Sequence, residues 1–144
     1  MITNPISKEV KISVLEDGAT AATGTLTGST LDMSNFDSVV FLAAFGTSNA
    51  GNYIYVEQGD ESDLSDAADI AGSKMVATAN NELLVLDIVK PGDRYLRPYS
   101  VRGASSTLSP LIAIQYNTNK LPVTNADSGE VQVEVHISPA EGTA

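Results

Sequence analysis

Hydrophobic and polar positions alternate every second residue at both ends of this chain. In "EVKISVL" (9–15), Val10, Ile12 and Val14 share one side. In "VQVEVHI" (131–137), Val131, Val133, Val135 and Ile137 share one side, and Gln132, Glu134 and His136 the other. A period of two is what a half-buried strand requires, because successive side chains point to opposite faces. Between these ends the apolar runs are more continuous: "SVVFLAAFG" (38–46), "NYIYVEQ" (52–58), "ELLVLDIV" (82–89), "RYLRPYSV" (94–101) and "LIAIQYN" (111–117). They are short, rich in β-branched or aromatic residues and bounded by turn formers, so each predicts a strand.

The punctuation agrees. "TSNAGN" predicts a tight turn between the runs at 38–46 and 52–58, and "KPGDR" places Pro91 and Gly92 at another. "RGASSTLSP" and "NTNKLPVTNADSG" read as loops, and "TAATGTLTGSTLDMS" (20–34) as one or two short strands around Gly24 and Gly28. Pro98 predicts an edge position or a bulge, since it lacks a ladder donor. The one helical candidate is "SDLSDAADIAG", at most two turns, with Ser62 as cap, Leu64, Ala67 and Ala68 at i, i+3, i+4 spacing, and Gly72 at the close. The expected fold is all-β: a single domain over 1–144, an antiparallel β-sandwich or jelly roll, with 1–7 and 138–144 as extended arms.

Composition narrows this further. At 144 residues and 42% hydrophobic content the chain can bury one core; with no Trp and three Phe, that core rests on Val, Ile, Leu and Tyr. The absence of Cys excludes disulfides and thiol chemistry. The longest apolar run, Val39 to Phe45, falls far short of the roughly 20 residues that cross a bilayer. "MITNPISKEV" lacks a basic start followed by an apolar core, so synthesis in the cytoplasm is expected.

Charge divides the chain. No Lys or Arg lies between Lys11 and Lys74, and that segment holds ten acids. The other residues carry eight acids and eight bases, so the whole net charge of −10 resides in residues 12–73. Such a field opposes nucleic-acid binding, which needs Lys and Arg against phosphates. Half of the bases fall in "KPGDRYLRPYSVRG". There Arg94, Tyr95, Arg97, Tyr99 and Arg102 are the candidate protein-interface residues, because Arg and Tyr are enriched interface anchors. Such a patch would meet the acidic half of a neighbouring copy or a carboxylate-rich partner. An edge strand protected by charge and Pro is the plainer reading.

No catalytic set emerges. Counted from Asp60, the acidic stretch has Ser65 where an EF-hand loop needs Gly and Ala71 where it needs Glu. A looser calcium site would use Asp60, Asp63 and Asp66. Glu57 and Asp87 are the nearest to an acid/base pair, with nothing to set their separation. His136, the single histidine, lies beside Glu134 and has no "GxSxG" serine to serve. One His without Cys excludes the usual zinc sets. No phosphate-binding glycine motif occurs, so no cofactor is expected.

The order "FDSVVFLAAFG", "YIYVEQGDESDLSDAADIAG", "LLVLDIVKPGDRYLRPYSV", "SPLIAIQYN" resembles that of small head decoration (cement) proteins of tailed bacteriophages. Proteins of that kind often carry a "D-S-V-x-F" strand, a "V-x-x-S/G-D-x-x-D" strand and loop, and an "R-Y-L-R" strand. The resemblance covers about residues 8–120, with Ile70 standing where the family often has an aromatic. It implies a sandwich or jelly-roll fold and a non-enzymatic protein on the exterior of the virion. Its partner would be the major capsid protein, and it would attach as a homo-oligomer and stabilise the shell. The alternative is a glycan-binding β-sandwich module of a phage tail or fibre.

Overall fold

Val39, Phe41, Ala43 and Phe45 occupy every second position of one run, and none is more than 1% exposed. That spacing puts all four on one side of a strand, where they form the middle of the core with Ile54, Val56, Leu84, Leu96, Leu111 and Ala113. The computed structural model describes residues 4–125, 129–136 and 141–142. Its strands are β1 (Lys11–Glu16), β2 (Ala19–Thr27), β3 (Leu31–Asp32), β4 (Phe36–Ala44), β5 (Asn52–Gly59), β6 (Ala68–Asp69), β7 (Met75–Val76), β8 (Leu83–Val89), β9 (Tyr95–Leu108) and β10 (Leu111–Thr118).

They form two antiparallel sheets packed as a sandwich. One has the order β1-β10-β4-β8; the other has β2-β9-β5-β6, with β3 beside β9 and β7 beside β5. The chain crosses between sheets at β1–β2, β3–β4, β4–β5, β7–β8, β8–β9 and β9–β10. Residues 47–51 hold the expected turn, closed where Asn52 N donates to the Asn49 carbonyl at 2.9 Å, but it carries the chain from one sheet to the other, and Asn52 Nδ2 anchors it on the Thr47 carbonyl at 2.9 Å. The turn at Pro91 and Gly92 also joins the two sheets.

The expected all-β sandwich is what the chain forms. Among the described residues there is no α-helix, only a 3-10 turn at Ile6–Lys8. Four expectations are corrected. The "SDLSDAADIAG" stretch is a turn followed by β6: Leu64 is buried in a left-handed backbone conformation (φ 58°), which ends any helix there. Residues 102–108, read as a loop, continue β9, since Ser100, Arg102 and Ser106 bury their polar side chains within the sandwich.

Pro98 is neither on an edge nor in a bulge of the ladder to β5; it is fully buried in the central strand β9. Its carbonyl accepts from Gly28 N at 2.8 Å, so its missing donor faces the break between β2 and β3, where no ladder bond is needed. A side chain at Gly28 would sit 2.7 Å from the Pro98 ring, which keeps that crossing bare. Finally, residues 131–136 form no strand despite their alternation, and Val133 and Val135 are 37% and 41% exposed. Ile137 and most of the 138–144 arm lie outside the described residues, as do residues 1–3 of the other arm.

Candidate functional site

The expected basic face is built where β9 pairs with β5. Alternation turns Leu96, Pro98 and Ser100 into the core and Tyr95, Arg97 and Tyr99 outward. The register sets Glu57 opposite Arg97 and Tyr55 opposite Tyr99. Arg97 Nε donates to Glu57 Oε1 at 2.7 Å, and Tyr99 Oη donates to the same oxygen at 2.8 Å. Burial, with the Glu57 hydrogen bond behind it, raises the Tyr99 hydroxyl above its ordinary pKa. Arg94 forms a two-pronged pair with Asp32, at 3.0 Å and 2.9 Å.

The basic segment thus meets the acidic half of its own chain: two of its arginines are neutralised by Asp32 and Glu57. Arg94 stays about half exposed beside the Tyr95 ring. Arg102 leaves the exposed set altogether. It is 6% exposed, and its Nη1 donates to the carbonyls of Thr20 and Ser106 at 2.8 Å and 3.2 Å. Its role in the chain is to satisfy buried backbone carbonyls.

Beside this network the tyrosines line up. Tyr55 stacks on Tyr99 with ring centroids 4.9 Å apart, and Tyr53 lies tilted 6.2 Å from Tyr55. Tyr53 and Tyr55 line a groove of about 460 Å³ with Thr25, Asp69, Ser73 and Lys74. The Lys74 ammonium sits 4.0 Å over the Tyr53 ring. This juxtaposition depends on Lys74 returning along β5 through β7, a pairing with no short-range sequence signal.

The acidic loop satisfies itself. Asp66 accepts from Asp60 N at 2.9 Å and Glu61 N at 3.2 Å, and Asp63 accepts from Ser65 N at 3.0 Å. These bonds hold both carboxyls below the ordinary range. Asp60, Asp63 and Asp66 do not converge: among the described residues no three His, Asp or Glu side chains could hold one ion. Glu57 and Asp87 stand on outer faces of different sheets and cannot serve one substrate together. His136 pairs with exposed Glu134 at 2.8 Å.

The outer face of the four-stranded sheet had not been singled out. Register places Val14, Ile112, Leu42 and Val85 in one row across β1, β10, β4 and β8. The next row is Ile12, Ile114, Val40 and Asp87. None of these side chains joins the core. Leu83, Val85 and Val89 on β8 are 58%, 48% and 63% exposed. The one acid in these rows, Asp87, is tied down by Tyr116 Oη at 2.6 Å. The outer face of an antiparallel sheet is ordinarily polar; here it is apolar across all four strands. The signal was present in "VVFLAAF", "LLVLDIV" and "LIAI", because continuous apolar runs mark strands meant to be covered on both sides.

No known protein-family model matches the chain, and no curated protein shows significant similarity to it.

Proposed function

We propose that this protein is a non-enzymatic structural subunit that attaches to the outer surface of a tailed-bacteriophage capsid and stabilises the assembled shell. The observation that carries this reading is the apolar outer face of the four-stranded sheet. A patch of this kind, rimmed by polar residues, marks a protein contact surface. The capsid, with the major capsid protein as direct partner, enters through the resemblance in strand order. Attachment that occurs only on the assembled lattice stabilises that state by linkage, and an oligomer adds avidity. The protein would be made in the host cytoplasm and reside on the virion exterior. The test is to mix purified protein with expanded capsids, measure co-sedimentation and follow the disruption temperature. Attachment with a raised disruption temperature is expected, and Leu42→Glu should abolish both. If the wild-type protein stays in the supernatant, the reading fails.

A second reading, a glycan-binding module of a tail or fibre, is favoured by the groove of Tyr53 and Tyr55, with Lys74, Asp69 and Thr25 as polar partners. Ring faces beside a few polar groups suit a sugar. A saturable glycan-array signal lost in Tyr55→Ala would move the assignment to this class. A blank array would remove it.

A further inference from the structure

Sheet edges expose unpaired backbone donors and acceptors, and natural proteins blunt them with bulges, charges, Pro, short strands or covering segments. Three edge regions of this sandwich follow that practice. The β1 ladder has a register shift between Val14 and Glu16, and its outer side is tied to residues 123–125: Val123 N donates to the Lys8 carbonyl at 2.8 Å, and Ile12 N donates to Asn125 Oδ1 at 2.8 Å. The β2 ladder shifts register twice. The opposite edge of that sheet ends in β6 and β7, of two residues each.

β8 has only one of these devices, the single charge of Asp87, which accepts from Tyr116 Oη at 2.6 Å. It is seven residues long, contains no Lys, Arg or Pro, and pairs with β4 without a register shift. Among the described residues no strand pairs with its other edge. An edge this long, regular and apolar is an open template for another strand.

The same chain carries a segment fitted to that template. Residues 131–136 alternate Val, Gln, Val, Glu, Val, His, yet form no strand, and Val133 and Val135 lie exposed. At six residues the segment is one shorter than β8. The segment also leaves the sandwich at the wrong edge to reach its own β8. Asn125 is bound beside β1 by bonds from its Nδ2 to the carbonyls of Ser7 and Val10, at 2.8 Å and 3.0 Å. β1 and β8 are the opposite edges of one sheet, three strand spacings or about 14 Å apart. A strand added to the far side of β8 lies one spacing further, about 19 Å from β1, whereas the six Cα steps from Asn125 to Val131 reach at most about 20–22 Å. The β8 of another copy imposes no such demand.

We infer that residues 131–136 of one copy add as a strand to the β8 edge of a second copy, with Val131, Val133 and Val135 joining the exposed row of Leu83, Val85 and Val89. The assembly is a homo-oligomer, and the addition widens the apolar face by one strand. It holds whatever surface the assembled copies attach to.

The test needs no capsid. Light scattering and sedimentation give the mass of the full chain, and Val133→Asp/Val135→Asp is compared with it. These side chains stand outside every ladder of the isolated chain, so at concentrations too low for association the variant should melt like wild type. The expected results are an oligomeric wild type and a dissociation constant raised at least about a hundredfold in the variant. Because the chain has no Cys, Val133→Cys protein can be mixed with Leu83→Cys, Val85→Cys or Val89→Cys protein. A disulfide between chains should form with at least one of them. A monomeric wild type overturns the inference. So does an oligomer that survives the double Asp variant yet falls apart in Val85→Lys, which would mean direct β8-to-β8 pairing. So too does a Val133→Cys/Val85→Cys chain that closes only within itself.

Discussion

Phe41 and Leu42 are neighbours on β4 and point to opposite sides of one sheet, so substituting each in turn tests whether the outer face is open. Phe41 is fully buried in the core. Phe41→Ala removes its transfer energy and leaves a cavity, at a cost of about 3–5 kcal/mol. For a chain near this length each kcal/mol lowers the melting temperature by about 3 °C, so a drop of about 9–15 °C is expected. Leu42 touches its row through the cross-strand pairs to Ile112 and Val85. Such pairs contribute about 0.2–1 kcal/mol each. Leu42→Thr keeps a strand-forming side chain and should cost about 0.5–1.5 kcal/mol, a drop below about 5 °C. Thermal denaturation followed by circular dichroism reads both variants. If Leu42→Thr lowers the melting temperature as far as Phe41→Ala, the face is already covered in the isolated chain. The outer face is then no docking surface.

Other predictions concern the polar network. Asp32 has its carboxyl held down at about 2, against an ordinary 3.8, chiefly by the Arg94 hydrogen bond. A depressed carboxylate stabilises the fold above its ordinary pKa, so this contribution is whole above about pH 4 and is lost as the pH falls toward 2. With the two side chains 52% and 43% exposed, solvent screening limits it to no more than about 1 kcal/mol. Asp32→Asn should flatten stability between pH 4 and 2, and an unchanged acid limb would refute the pairing. Glu57→Ala leaves Arg97 and Tyr99 without their shared acceptor and should cost about 2 kcal/mol by urea denaturation; a loss within error would mean that the network is dispensable. Because the carboxylates of Asp63 and Asp66 serve their own loop, millimolar calcium should leave the melting curve unmoved, and a clear upward shift would restore a calcium site.

Much of the strand order was legible in the sequence, because short apolar runs between turn formers are a local signal. The long strands begin within about two residues of where patterning puts them, as at Leu83–Val89 and Leu111–Thr118. What local patterning could not carry was pairing. Pro98 reads as an edge residue until β2 is seen to break off opposite it. "ASSTL" reads as loop until Ser106 is seen buried inside the sandwich. Arg102 and Arg97 look equivalent in sequence, yet alternation along β9 sends one inward to carbonyls and the other outward to Glu57. The acidic stretch looked like a ligand cluster, but the Asp63 and Asp66 carboxylates accept from backbone N–H groups of their own loop.

The two ends of the chain carry the same alternating pattern with opposite outcomes, and the reason lies in what stands beside them. Ile12 and Val14 find Ile114 and Ile112 across the β10 ladder, so their segment becomes a strand. Yet Ile12 and Val14 face the outer side of the sheet, and within β1 only Leu15 enters the core. A period of two therefore reports that one side of a strand is apolar without saying which side is buried within the chain. Val131, Val133 and Val135 have the same period and no ladder. A side apolar enough to need cover, on a segment that the chain itself leaves bare, is the mark of a contact completed by another molecule. The same holds for Leu83, Val85 and Val89 on the regular edge of β8. The apolar edge of β8 and the unpaired alternation of residues 131–136 each lack what the other offers, a partner strand with an apolar side.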